Sequence, residues 1–240
     1  MNRSIATLLC LCLCLLLASC APAAVTPGEL SADMKTVQHS IHAEDGTQLL
    51  TLSYPQWSLT LENQDIAKTI QADLETQIGL WFSPARELEE IARKAYADQA
   101  TWNPWYAKLE GEVTRLDGQY LSLYFTYTEF CGGMHANQNT YSVTYDCRTG
   151  KKLALSALLA DSGYLATMIN TQLAPLADRL FDDYEAIVGN LLSGDTVRNW
   201  YLSSTGLCFH FAPYEIGPFS SGIITVEIPY DQLEGLLRRN

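Results

Sequence analysis

Histidines, cysteines and paired acids are the side chains that could carry chemistry in this 240-residue chain. The four histidines are His39, His42, His135 and His210. None stands in His-Glu-x-x-His, the spacing that sets two imidazoles on one helix face over a zinc ion. There is no Gly-x-Ser-x-Gly nucleophile elbow and no glycine loop of the kind that cradles phosphate. Cys131, Cys147 and Cys208 include no Cys-x-x-Cys, so neither zinc-ribbon nor thioredoxin-like spacing is present among them. His135, His210 and a cysteine are metal-ligand types, but their spacing does not bring them together. Hydrogen-bonded structural histidines are the simpler reading, and the sequence assigns no metal and no cofactor. Asp182-Asp183 and Glu89-Glu90 fall on predicted helices, where adjacent residues point apart, so they read as solvated faces and not as an acid/base pair. The residues therefore favour a binding or sensing chain over an enzyme.

Two loops carry the residue types of a binding surface. His135 follows Gly132-Gly133-Met134 between two predicted strands, where its ring is either presented outward or packed on a neighbour. Phe211-Ala212-Pro213-Tyr214-Glu215-Ile216-Gly217-Pro218-Phe219 combines prolines, glycine and aromatics in one stiff loop. Rigid aromatic loops make good anchors because little side-chain entropy is lost on contact. His135, Pro213, Tyr214, Pro218 and Phe219 are the candidate ligand-binding residues. In the competing reading Tyr214 and Phe219 only cap the core.

Those loops need a frame. Gln48 to Leu52 and Trp57 to Leu61 read as short extended pieces around Tyr54-Pro55. Ile66, Ile70, Leu74 and Ile78 recur every fourth residue and predict one face of a helix. Ser83-Pro84, as N-cap and first helical residue, starts a second helix running to about Gln99, with Leu88, Ile91, Ala92 and Ala95 inward. The period then changes to two. Tyr106 to Leu116 and Gln119 to Tyr127 flank Asp117-Gly118, a two-residue hairpin signal. A third strand covers Asn139 to Asp146. Helical pattern returns at Ser156 to Leu159, from Asp161 or Ser162 with the stripe Leu165, Met168, Ile169 and Leu173, and between Ala177 and Leu192. Strands resume at Trp200 to Leu202, Leu207 to Phe211 and Gly222 to Ile228, and Pro229 opens a last short helix. Helices that precede and interrupt antiparallel strands define an α+β class, with helices packed on an antiparallel sheet.

The N-terminus supplies an address. Arg3 gives a positive start, Ile5 to Ser19 carry no charge, and Leu17-Ala18-Ser19-Cys20 resembles the bacterial lipobox. A positive start, an apolar run and a small-residue cleavage site make a secretory signal. The run falls short of the ~20 residues that span a bilayer core. Residues 1–19 are thus expected to be removed, leaving lipid on Cys20 and an anchor on the extracytoplasmic side of the cell membrane. Residues 20–40 read as lipidated cysteine and flexible tether, and 41–240 as one folded domain in two parts, 41–130 and 131–240. The full chain carries net charge −12; losing Arg3 and no acid takes the mature chain to −13. Such a surface repels nucleic acid and attracts a basic partner, or serves solubility alone. In an oxidising compartment one disulfide is expected, with Cys131–Cys147 the first choice because both flank one predicted hairpin.

Several motifs fall in one order: Tyr54-Pro55-Gln56, Cys131-Gly132-Gly133-Met134-His135-Ala136-Asn137, Tyr145-Asp146 with Thr149-Gly150-Lys151-Lys152-Leu153, Phe211 through Pro218, and Ile228-Pro229-Tyr230. Over about Thr47 to Leu237 the set resembles the RsiV-like extracytoplasmic domain family (domain of unknown function 3298, with the PdaC-type N-terminal region). The resemblance implies an α+β fold and, as in RsiV, an outward-facing domain that binds lysozyme. Cys131 and Met134 depart from the small residues usual at the glycine loop. An RsiV-type anti-sigma factor has a cytoplasmic segment and a membrane helix before the domain, whereas here a lipobox begins the chain. PdaC carries a deacetylase domain after it. The expectation is a stand-alone lipoprotein that captures lysozyme or another wall-associated protein. A peptidoglycan- or glycan-binding accessory module is the alternative, and an undetected envelope hydrolase a third.

Overall fold

Apolar alternation, interrupted by helical periods, builds two sheets with helices on their outer faces in the computed structural model, which describes residues 30–98, 101–159, 163–193 and 197–238. The signal segment, Cys20 and the start of the tether lie outside the described residues, as do Gln99, Asp161, Ser162 and the chain end at Asn240. Among the described residues no helix is long and apolar enough to cross a membrane.

The first sheet has strand order β1-β2-β3-β4-β5. Strand β1 (Ser31–His42) pairs antiparallel with β2 (Gln48–Thr60) along its length. The chain then makes helix α1 (Gln64–Trp81), an intervening 3-10 turn and helix α2 (Leu88–Asp98) before entering β3 (Trp105–Leu116). Asn63 caps α1, its side chain accepting from the N–H groups of Asp65 and Ile66. Ala67, Ile70, Leu74 and Ile78 are the buried face. Because this crossover is helical, β2 and β3 run parallel, the one parallel pair in an otherwise antiparallel sheet. Their pairing stops at Ser53, two residues before Pro55, which has no N–H to give.

Strands β4 (Tyr120–Phe130) and β5 (Asn137–Asp146) complete the sheet as a meander. Leu121, Leu123, Phe125 and Tyr127 point into the helix-covered core, as their alternation predicts. The opposite face of β4 is covered too, with Ser122 fully buried. It meets a second, antiparallel sheet of β6 (Trp200–Leu202), β7 (Gly206–Phe211) and β8 (Ile224–Pro229). Every residue of β7 is buried. Leu207, Phe209 and Phe211 join a separate core under α4 (Leu165–Leu173) and α5 (Tyr184–Leu191), behind the short α3 (Leu155–Leu158). The other face of β7 turns His210 toward the first sheet.

Hydroxyls stitch the two sheets. The Leu202 N–H donates to Ser122 Oγ at 2.9 Å, and Ser142 Oγ lies 2.7 Å from the Trp200 carbonyl and 3.0 Å from that of Arg198. A short edge strand buried against another sheet would otherwise leave its N–H and C=O groups unpaired, a cost of about 1–3 kcal/mol each.

Several expectations need correction. The tether does not extend to residue 40: Ser31–His42 is strand β1, whose polar sequence suits an edge that is mostly exposed. The extended pieces around Tyr54-Pro55 are one strand. Ser83 caps no helix; its hydroxyl donates to the Leu80 carbonyl, and Ser83–Glu87 is a 3-10 turn. That insertion rotates α2, so Leu88 and Ala92 face in while Ile91 is exposed. The β3–β4 connection has three residues, with the Asp117 carboxylate accepting from the N–H groups of Gln119 and Tyr120. Cys131 and Cys147 are free thiols. Each follows the C-terminal end of a strand, and antiparallel pairing sets consecutive C-terminal ends at opposite ends of the β4–β5 hairpin. At ~3.3 Å per residue that separates them by about 30 Å, against the ~7 Å a disulfide tolerates between Cα atoms.

Candidate functional site

The glycine loop and the aromatic loop, distant in sequence, meet at one surface. His135 stacks on Phe219 with ring centroids 3.8 Å apart and planes at 21°. Tyr214 lies against the same Phe219, centroids 6.0 Å apart. Tyr214 is 60 % exposed, Met134 fully so, and His135 and Pro218 are exposed, while Phe219 is half-buried. Pro213 is buried and supports the loop from below. The candidate residues thus form one patch with Tyr214 at its crest. The reading of Tyr214 as a core cap fails on its exposure.

The chain spends backbone strain to present this ring. Tyr214 has φ +73°, the only positive φ outside glycine among the described residues. That conformation costs a side-chain-bearing residue roughly 1–2 kcal/mol. It is held by a closed set of bonds: Tyr214 N–H to the Gly217 carbonyl at 2.9 Å, Glu215 N–H to the Ala212 carbonyl at 3.1 Å, and Ala212 N–H to Glu215 Oε2 at 2.6 Å. The Asn199 amide donates to both Glu215 oxygens, at 3.1 and 3.2 Å. Behind the loop, Phe181 N–H donates to the Ile216 carbonyl, and Arg179 donates to the Ser221 carbonyl while Ser221 Oγ donates back to that of Arg179. Gly217 has no room for a side chain there, since a Cβ would lie 2.8 Å from the Arg179 carbonyl oxygen. On the other loop Gly132 takes φ +81° and passes Trp105 so closely that a Cβ would sit 3.0 Å from Nε1. Asn199, Glu215 and Arg179 were missed as site residues. Glu215 stood inside the loop motif as a signal, whereas nothing local marks the other two.

His210 and the three thiols lie away from this patch's exposed face or are held by burial. His210 is fully buried, with Nδ1 2.8 Å from Thr140 Oγ1 and Nε2 2.8 Å from Ser142 Oγ. Ser142 has one proton, directed at a backbone carbonyl, so Nε2 carries the imidazole hydrogen and Nδ1 accepts from Thr140. Burial pushes the His210 pKa down to about 3, and the ring is neutral. His135 and His210 thus occupy different environments, and no group of three potential metal ligands assembles among the described residues. Burial, with Glu129 alongside, pushes the Cys131 thiol up to about 12, and burial takes Cys147 and Cys208 to about 11, so none is an activated nucleophile. Next to the patch, a cleft of about 590 Å³ runs along β5 between Trp81 of α1 and residues 197–199, with Glu215 at one end.

Residues 41–138 match the family model described as "Deacetylase PdaC", and residues 164–231 match "Protein of unknown function (DUF3298)". The two matches follow one another along the chain as a PdaC-type region and a DUF3298-type region. The solved structures agree on the fold. A DUF3298 family member from Bacteroides fragilis superposes with TM-score 0.61 at 19% identity, covering 89% of this chain and 96% of that one. A DUF3298 family protein from Pseudomonas aeruginosa does so with TM-score 0.54 at 18% identity, covering 88% and 96%. The search of curated proteins finds no match. The two regions divide the patch between them. His135 belongs to the PdaC-type region, and Tyr214 and Phe219 belong to the DUF3298 region, so the His135–Phe219 stack joins the two.

Proposed function

We propose that this DUF3298-type chain is a non-enzymatic, extracytoplasmic binding protein, held to the cell membrane by lipid on Cys20, that captures a basic wall-associated protein, lysozyme in the first instance. The carrying observation is the patch: an exposed tyrosine in a left-handed backbone, braced on a half-buried phenylalanine that a histidine from the other region covers. Strained, over-determined residues cluster where ligands are held, and rigid aromatics are the residue types that dominate protein interfaces. The charge of −12 supports a basic partner and speeds its encounter. The thiols and the buried imidazole, protonated as described, offer no activated nucleophile or base beside the patch.

A pull-down against immobilised lysozyme tests the ligand. Retention at low salt that weakens at moderate salt is expected; no retention at either salt removes lysozyme from the account. Sedimentation with purified sacculi separates the glycan-module alternative, which requires co-sedimentation without any added protein.

A further inference from the structure

Strand β5 is the outer strand of the five-stranded sheet, and part of its outer edge is open. At one end the chain covers that edge itself: Leu153 N–H donates to the Thr144 carbonyl at 2.8 Å, and Asp146 N–H donates to the Lys151 carbonyl at 3.0 Å. Backbone groups of an antiparallel strand alternate between inward and outward pairs. Residues 144 and 146 point outward, so 140 and 142 do as well. The Thr140 N–H is satisfied by Asn139 Oδ1 at 2.8 Å. The Thr140 carbonyl and both groups of Ser142 meet no partner among the described residues and open into the 590 Å³ cleft. That volume is in the range of ordinary ligand sites.

The walls favour one strand over a flat surface. Leu80 and Trp81 of α1 stand on one side, with Trp81 stacked on Tyr141 at 5.1 Å, and Val197 to Asn199 on the other. The charges are uneven. Arg198 is exposed with no acidic partner among the described residues, and Lys152 is shared with Asp73 at 3.3 Å. The Glu215 carboxylate is already occupied by Asn199 and the Ala212 N–H. In an acidic chain this is a cationic slot beside one free backbone donor and two free acceptors.

We infer that the open edge of β5 is a second binding site, which takes an extended polypeptide segment as a further strand in line with Lys151–Leu153, with a carboxylate of the segment against Arg198. Strand addition draws affinity from main-chain hydrogen bonds and specificity from alternate side chains. The open stretch admits about four to six residues at ~3.3 Å each. The site adjoins the aromatic patch but uses different groups, so either can fail without the other.

A phage library of linear nine-residue peptides, panned on the full chain and on its Arg198→Glu variant, tests this. Enrichment on the parent chain of acidic, proline-free sequences is expected. A synthesised winner should bind at least ten-fold more weakly to Arg198→Glu and after proline replacement of alternate residues, and should slow amide exchange at Ser142 at least ten-fold. Arg198 is exposed and contributes no side-chain bond to the fold, so the variant retains it. No enrichment above bare support, binding indifferent to both changes, or slowed exchange only at 132–136 and 212–220 would overturn the inference. Slowed exchange at Ser142 by chitotetraose and by no peptide would do the same, making the cleft a glycan site.

Discussion

Tyr214 holds the clearest single-residue consequence. Its φ of +73° is costly for tyrosine and free for glycine. Tyr214→Gly should therefore raise stability by up to about 1 kcal/mol while weakening partner binding at least ten-fold. Urea unfolding and a binding titration on the same sample check the two signs. A residue kept only for stability would not show this opposition. His210 gives a pH dependence. Its folded pKa is depressed to about 3 by burial, against an ordinary value near 6.5. Below 6.5 the unfolded chain takes up a proton that the folded chain refuses, so stability falls as pH drops from 6.5 toward 3, by at most about 1.4 kcal/mol per unit. The unfolding midpoint followed from pH 7 to 4 should show that slope. His210→Gln, which keeps a donor and an acceptor without titrating, should remove most of it.

At the element scale, what was legible in the sequence depended on whether an element's neighbours were near in the chain. The four-residue period of α1 and the alternation of β4 depend on local geometry, and both matched the structure. The rotation of α2 was hidden because a 3-10 turn at Ser83–Glu87 has no hydrophobic period of its own. Strand β1 was hidden because an exposed edge strand is polar and reads like a tether. The disulfide expectation failed because adjacency to one hairpin says nothing about which end of it a residue occupies. Alkylation of the unfolded chain without reductant should accordingly label Cys131, Cys147 and Cys208 alike, and a linked Cys131–Cys147 peptide would contradict the register. Gly111 tests the β3–β4 packing. A Cβ there would lie 2.6 Å from the Phe125 ring and 3.2 Å from Trp57. Gly111→Ala should cost about 1–3 kcal/mol in urea unfolding, the usual range for overpacking a core. Of the site, the two loops were legible as loops because glycine and proline mark them. Their meeting was not, since the chain between His135 and Phe219 carries the edge strand and most of the second sheet, and only the packed sheets bring its ends together.

On the scale of the whole molecule, two sheets joined through buried hydroxyls hold one loop from each region in fixed relation, and the aromatic patch depends on both. The proposed recognition of a folded partner rests on that arrangement. Hydrogen–deuterium exchange of the full chain, alone and with excess lysozyme at low salt, tests this most directly. Slowed exchange concentrated at residues 132–136 and 212–220, lost in the Tyr214→Gly variant, is expected. Binding that leaves those two loops unprotected, or no change anywhere in the chain, would contradict it.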